Sequence, residues 1–299
     1  MATLMLAHRE LYKRSPDERF PSLDGLIDYC REQQRESRDL WKPPGQLQLA
    51  EDDFGQVQLR TGSEGSFRLN DWSFSQLCRL SMVSKDTVNR VSGDTASRVL
   101  RETMPQGDRP LQLLTTGDRL RSMHGVTYSR LWNADLLAAV REAAVDYTPR
   151  QTAFNEATGL YCGEQDLFAF LIDPTGWIEV GEEQFAPGFF VWNSEVGKRS
   201  LGIQTFWFQK VCCNHIVWDA MDVTEFTRKH TGNVRESLKG PTPHRTASRQ
   251  ARPAPRRIRH ADSQVDAGAT RHGRRRGHEA ASQARPRRGS RHASHKATR

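Results

Sequence analysis

The chain has 299 residues, long enough to bury a core, and carries 44 Lys+Arg against 36 Asp+Glu for a formal charge of +8. No run of about 18 apolar residues occurs, which argues against a transmembrane helix and a membrane partner. Met1–Glu10 lacks a charged region followed by an apolar one, so a secretory leader is not expected. Charge divides the chain. From Gly240 onward 16 basic residues stand against 3 acidic ones, whereas the first 239 residues hold 28 basic and 33 acidic. The basic balance therefore comes from the tail alone. Five cysteines with no framework spacing point to free thiols in a reducing, cytoplasmic setting.

Residues 1–44 read as a polar lead-in with one helix. Ser22 caps it, and Leu26, Ile27 and Cys30 share a face. Arg31–Arg38 is highly charged and solvated, and Lys42-Pro43-Pro44-Gly45 breaks the chain. The next region, 45–239, is expected to be one α+β domain. Gln46–Leu49 and Gln56–Leu59 alternate polar and apolar residues around the turn Asp52–Gly55. Asn70–Pro105 reads as short helices: Asn70, Asp71 or Ser73 caps the first, with Ser73 and Gln76 fitting a capping box, and Ser84 and Asp94 cap the next two. Leu111–Thr115 and Leu120–His124 flank Thr116-Gly117-Asp118 as a hairpin. Ala134–Val145 is a helix capped by Asn133, with Leu136, Leu137, Val140 and Ala144 on one side.

From Leu160 the signal turns to strands: Leu167–Ile172, Trp177–Val180, Gly188–Trp192, Ile203–Phe208 and Cys213–Trp218. Thirteen of the 25 aromatic residues lie between Phe154 and Trp218, so the main core is expected there. Asp222–Arg228 reads as the start of a last helix. The fold class expected is α+β, a mostly antiparallel, aromatic-rich sheet with packed helices, followed by a disordered basic tail over 240–299. That tail has no aromatic residue and, beyond alanine, only Ile258 and Val265 as aliphatics, too few to offset the entropy of ordering. Two origins fit it: a basic arm for polyanions, or a GC-rich gene read out of frame. The frameshift is favoured, because disordered arms usually carry lysine and acidic residues as well.

Three groups of residues carry possible chemistry. Ser75–Val91 resembles the helix-turn-helix of lac-repressor-type and phage-repressor-type regulators. Ser84 would cap the second helix, with Lys85, Thr87, Asn89 and Arg90 beside it. Met82 stands where that pattern places its turn glycine, whose positive φ a side chain resists. An ordinary helical hairpin is the plainer alternative. Cys212, Cys213 and His215, with Cys162 and His124 elsewhere, lack zinc-ligand spacing, so no metal is expected. The loop Asn193-Ser-Glu-Val-Gly197-Lys-Arg199 joins two aromatic strands. Lys198 and Arg199 could meet phosphates there while Trp192 or Trp207 stacks on a base, or the loop is a plain hairpin with solvated charges. No phosphate-binding Gly-rich loop, dinucleotide fingerprint or Gly-x-Ser-x-Gly elbow occurs, so no familiar enzyme, catalytic set or cofactor is read. Asp166, Asp173 and Glu179 with Lys198 could be arranged as a metal nuclease, though no spacing requires it.

Gly159–Leu171, Gly188–Gly197 and Val211–Trp218, with Gly117–Asn133 upstream, resemble in order the motifs of the phage/plasmid-like proteins, domain of unknown function 932. The resemblance covers roughly 45–239. His124–Tyr128 departs from the family's wording, and the tail replaces the family's helical C-terminus. The resemblance implies a mobile-element accessory protein with no assigned activity, and it transfers no catalytic residues. The function expected is DNA binding, single-stranded DNA first, in recombination or replication. Its contacts would be Arg119, Arg121, Arg130, Trp192, Asn193, Lys198, Arg199, Trp207 and Lys210. The alternatives are a regulator of double-stranded DNA through Ser75–Val91, and an antirestriction or host-inhibitor module binding a host or element-encoded protein through its acidic body. The sequence sets no oligomeric state.

Overall fold

Ser22 opens the first helix, α1 (Leu23–Glu36), by accepting a hydrogen bond from the Gly25 amide at 3.1 Å. The computed structural model describes residues 14–149, 159–209 and 224–232, with 234 and 236, all within the compact unit Met1–Pro253. Leu26, Ile27 and Cys30 form the buried face of α1. The helix stops at Ser37, whose hydroxyl donates to the Gln33 carbonyl at 2.6 Å, and the chain passes directly into strand β1 (Ser37–Lys42).

Then come β2 (Gln48–Glu51), β3 (Val57–Arg60) and β4 (Ser66–Leu69). Asp52 closes the β2–β3 turn by accepting from the amides of Phe54 and Gln56 at 2.9 and 2.8 Å. Helices α2 (Asp71–Leu80), α3 (Lys85–Val88) and α4 (Gly93–Thr103) follow, each opened by a side-chain cap: Asn70, Ser84 and Ser92. The capping box is Asn70 with Ser73, not Ser73 with Gln76, and Ser92 rather than Asp94 caps α4. Gln76 is buried and accepts from the Met123 amide at 3.0 Å, so it is committed to the sheet beneath.

Hairpin β5 (Leu111–Thr116) and β6 (Arg119–His124) precede α5 (Asn133–Ala143). The N-cap of α5 is Trp132, without a side-chain bond, and not Asn133. The Asn133 amide instead donates to the Glu195 carboxylate at 2.8 Å. The remaining strands are β7 (Leu160–Cys162), β8 (Leu167–Ile172), β9 (Ile178–Val180), β10 (Glu183–Asn193), β11 (Leu201–Gln209) and β12 (Thr224–Arg228).

Among the described residues the strands form two sheets, mostly antiparallel as expected. The first runs β1-β5-β6-β4-β3-β2, antiparallel except for β4 beside β6. The second runs β12-β11-β10-β8-β7, with β9 on β10, and is antiparallel throughout. The reading of Asp222–Arg228 as a helix is corrected. Thr224–Arg228 is an edge strand paired with β11, where an aromatic and a β-branched residue, Phe226 and Thr227, suit a strand better than a helix. β1 begins at the end of Arg31–Arg38, the stretch read as solvated charge; it is an edge strand paired with β5, and its Leu40 packs against the first core.

Three cores follow. Leu47, Leu59, Leu77, Leu100 and Leu113 pack the first sheet against α2 and α4. The central strands of the second sheet are buried on both faces. Leu167, Ala169 and Leu171 meet α1 and α5, while Phe168, Phe170, Phe190 and Phe206 form an aromatic cluster on the other side. Each such fully buried side chain stabilises the fold by roughly 1.5–3 kcal/mol. Among the described residues no helix is long and apolar enough to cross a membrane.

Candidate nucleic-acid interface

The loop after β10 anchors the neighbourhood of the site, and its polar atoms turn inward. Asn193 donates to the Leu131 carbonyl and to Asn133 Oδ1 at 2.9 and 2.8 Å. Ser194 Oγ donates to the Gln165 carbonyl at 2.5 Å and accepts from the Lys198 amide at 2.8 Å. The Val196 carbonyl accepts from Trp72 Nε1 at 2.7 Å, and His124 Nε2 lies 3.0 Å from it. Asn193 through Val196 are buried.

Glu195 is the centre of this arrangement. Arg121 Nη2 lies 3.3 Å from its carboxylate, and the Tyr128 hydroxyl and Arg130 both donate to its carbonyl. Arg130 also grips Asp39 of β1, its nearest approach being 2.7 Å. Arg121 reaches Glu195 through a β-bulge. Leu114 pairs with Ser122 and Thr115 with Leu120, leaving Arg121 as the extra residue. The bulge also lets Leu120 and Met123 enter one core although they are three apart.

His124 stacks on Tyr128 at 3.7 Å, and His230 lies 5.5 Å beyond Tyr128. Burial, reinforced by the Arg130 charge, lowers the His124 pKa to about 3, so the ring is neutral and Nε2–H donates to Val196. Burial likewise lowers His230 and raises the Tyr128 hydroxyl. Gly197 passes over this stack. A Cβ there would lie 2.6 Å from the His124 ring, and its φ of +70° suits glycine.

The exposed part of the loop builds a surface. Lys198 Nζ lies 4.3 Å from the centre of the Trp72 ring, and the Arg79 guanidinium lies 5.9 Å from the same ring. Beside it is a half-open cavity of about 350 Å³. Three chain segments line it: Arg14 and Glu18 ahead of α1; Glu164, Gln165 and Asp166 between β7 and β8; and Lys198 and Arg199. Asp166, 5% exposed, lies between Arg14 at 2.9 Å and Arg199 at 2.8 Å. Its Oδ1, 2.9 Å from Arg14 Nη2, is shielded from solvent by that ion pair. Asn70 ties the β7–β8 turn to the start of α2 through Glu164 at 2.7 Å.

The residues singled out in the sequence thus divide. Lys198 and Arg199 share the surface. Arg121, Arg130 and Asn193 are buried and committed to internal partners. Arg119 is exposed at the start of β6, paired in register with β4. Trp192 and Trp207 fall on opposite faces of the second sheet by register, so they do not form one platform. Trp192 packs beside Phe190 and over Gly202, where a Cβ would meet its ring at 1.9 Å. Lys210, Cys212, Cys213 and His215 lie outside the described residues, as does the tail.

In the helical segment, Ser84, Thr87, Asn89 and Arg90 are exposed, while Lys85 is paired with Asp71. α3 has four residues, and Met82 takes the turn-glycine geometry with φ 56°. Trp72, Arg79, Arg14 and Glu164 carried no signal beyond residue type. Asp166 and Asp173 stand at opposite ends of β8, roughly 20 Å of strand apart, which separates the acids of the nuclease arrangement. Among the described residues no group of three or more His, Cys, Asp or Glu is placed to hold a metal ion. No family model matches the chain, and no curated protein or solved structure does.

Proposed function

We propose that the protein binds single-stranded DNA on the surface formed by Trp72, Arg79, Lys198 and Arg199. The observation that carries this reading is the Lys198 ammonium held over the Trp72 ring at 4.3 Å, next to an open charged cavity. A base stacking on that ring would displace the cation toward the neighbouring phosphate. Each such stack contributes about 1–3 kcal/mol without regard to sequence. Because the first 239 residues are net acidic, the basic patch has to be local, as these side chains are. With the phage/plasmid-like resemblance, the reading becomes a cytoplasmic accessory protein of a mobile element, acting in recombination or replication.

The test uses the full chain. An oligonucleotide carrying iododeoxyuridine is photocrosslinked and the attached peptide mapped, which separates this surface from the basic tail. Crosslinks at Trp72 or Lys198 support the reading. Lys198→Glu and Arg79→Glu should each weaken binding and lower the salt slope by about 0.7 for each phosphate no longer neutralised. Crosslinks confined to residues beyond 239, with unchanged slopes in both variants, would overturn it.

A second reading is a helix-turn-helix regulator through Ser84, Lys85, Thr87, Asn89 and Arg90. It is favoured by the positive φ of Met82 and opposed by the brevity of α3, one turn against a major groove. It predicts preference for a duplex of defined sequence, which the same crosslinking with duplex DNA reads directly.

A further inference from the structure

We propose that the outer face of the first sheet carries a phosphate strip, formed by Arg60, Arg68 and Arg119, that receives the sugar-phosphate backbone of the single strand held at Trp72. This deepens the single-strand reading and rests on it. Strand alternation creates the face. Leu59, Phe67 and Leu120 point into the first core, so their neighbours Arg60, Arg68 and Arg119 point the other way, and all three are exposed. Arg68 pairs in register with Arg119, and Arg60 pairs with Ser66, two residues before Arg68. The strands that bear them, β3, β4 and β6, are consecutive in the sheet, about 4.8 Å apart.

Charge selects the occupant. Like charges side by side on neighbouring strands repel one another. Asp118 meets Arg68 at 2.5 Å, but among the described residues Arg60 and Arg119 have no acidic partner. The outward positions beside them on β3 and β4, Gln58 and Ser66, are polar and uncharged, side-chain types that contact phosphate and sugar. A polyanion laid across the strands relieves the repulsion. No aromatic side chain stands at these outward positions of β3 and β4, so the strip holds backbone and reads no base. Its place in the chain ties it to the stacking surface. Trp72 follows Arg68 by four residues, at most about 14 Å even along an extended chain. A single strand stacked on Trp72 therefore reaches the strip within a few nucleotides.

The experiment measures, by fluorescence anisotropy across a salt series, binding of the full chain to oligo-dT of about 4 and about 16 nucleotides, the span of common single-strand site sizes. Arg60→Glu and Arg119→Glu should each lower the salt slope for the long oligomer by about 0.7 for the phosphate no longer neutralised, and leave the short one nearly unchanged. Arg119→Lys keeps the charge and should keep the slope. Arg98→Glu and Arg101→Glu reverse exposed charges on α4, which packs against the opposite face of the sheet, and should alter neither length. Tail contacts are common to every variant. Unchanged long-oligomer slopes in Arg60→Glu and Arg119→Glu would overturn the strip, as would equal losses in the α4 variants. Iododeoxyuridine crosslinks still mapping to Trp72 or Lys198 in that case would leave the surface reading standing. Their absence would remove both.

Discussion

Met82 is the single described non-glycine residue with positive φ, and it stands 91% exposed at the turn between α2 and α3. The left-handed conformation costs an L-residue about 1–2 kcal/mol, and an exposed side chain recovers little of that by packing. Met82→Gly should therefore raise thermal stability, by about 1 kcal/mol or somewhat less because glycine also frees the unfolded chain. A melting temperature that falls would show that the side chain makes a contact the geometry does not reveal. His124 bears on pH. Held neutral with its pKa lowered to about 3 from 6.5, it takes up a proton on unfolding at mildly acid pH. The unfolded state then binds more protons, so stability is lost as pH falls below about 6.5, by up to ~1.4 kcal/mol per pH unit from this group. Urea melts of His124→Gln across pH 4–7 (a range of about three units around the free imidazole) should show a shallower acid decline. His230, shifted the same way, leaves part of it in place.

At the scale of elements, the buried ion pairs decide how the strands are held. Glu195 is nearly fully buried opposite Arg121, so Glu195→Gln leaves that guanidinium without its counter-charge, at a cost of about 3–5 kcal/mol. Adding Arg121→Met should return much of the loss, because an apolar side chain needs no partner there. Chemical denaturation of the two single variants and the double variant checks this, and strictly additive losses would show that the pair does not interact. Gly197→Ala should destabilise the same loop through both its φ and the His124 ring.

What was legible in the sequence follows from the same physics. The β2–β3 and β5–β6 hairpins and α5 announce themselves because periodicity and turn residues are local. β1 and β12 do not, because edge strands need no alternating apolar face. Lys198 and Arg199 could be picked out as exposed loop cations. Arg121 and Arg130 looked equivalent to them, because their burial depends on Asp39 and Glu195, which lie far away in sequence. Trp72 gave no warning, since Lys198, which lies over its ring, is far away in sequence.

Over the described part of the whole molecule, the two sheets are joined by the Asn193–Gly197 loop, which contacts β6, α2 and the start of α5. Such buried, satisfied polar connections make the halves interdependent. Calorimetry of the full chain should therefore give one main unfolding transition for both sheets. Glu195→Gln should broaden or split it, and two transitions in the wild-type chain would mean that the loop does not couple them.

The packing of α1 has a consequence for biosynthesis. Its buried face lies against α5 and β7, although it passes without a loop into an edge strand of the other sheet. Translation delivers α5 about 100 residues after α1, a delay of roughly 5–20 seconds at ordinary elongation rates. Through that interval Leu26, Ile27 and Cys30 have no native surface to cover them. The nascent chain must therefore carry an exposed apolar stripe, the kind of surface holding chaperones recognise, until the ribosome has moved well past the first sheet.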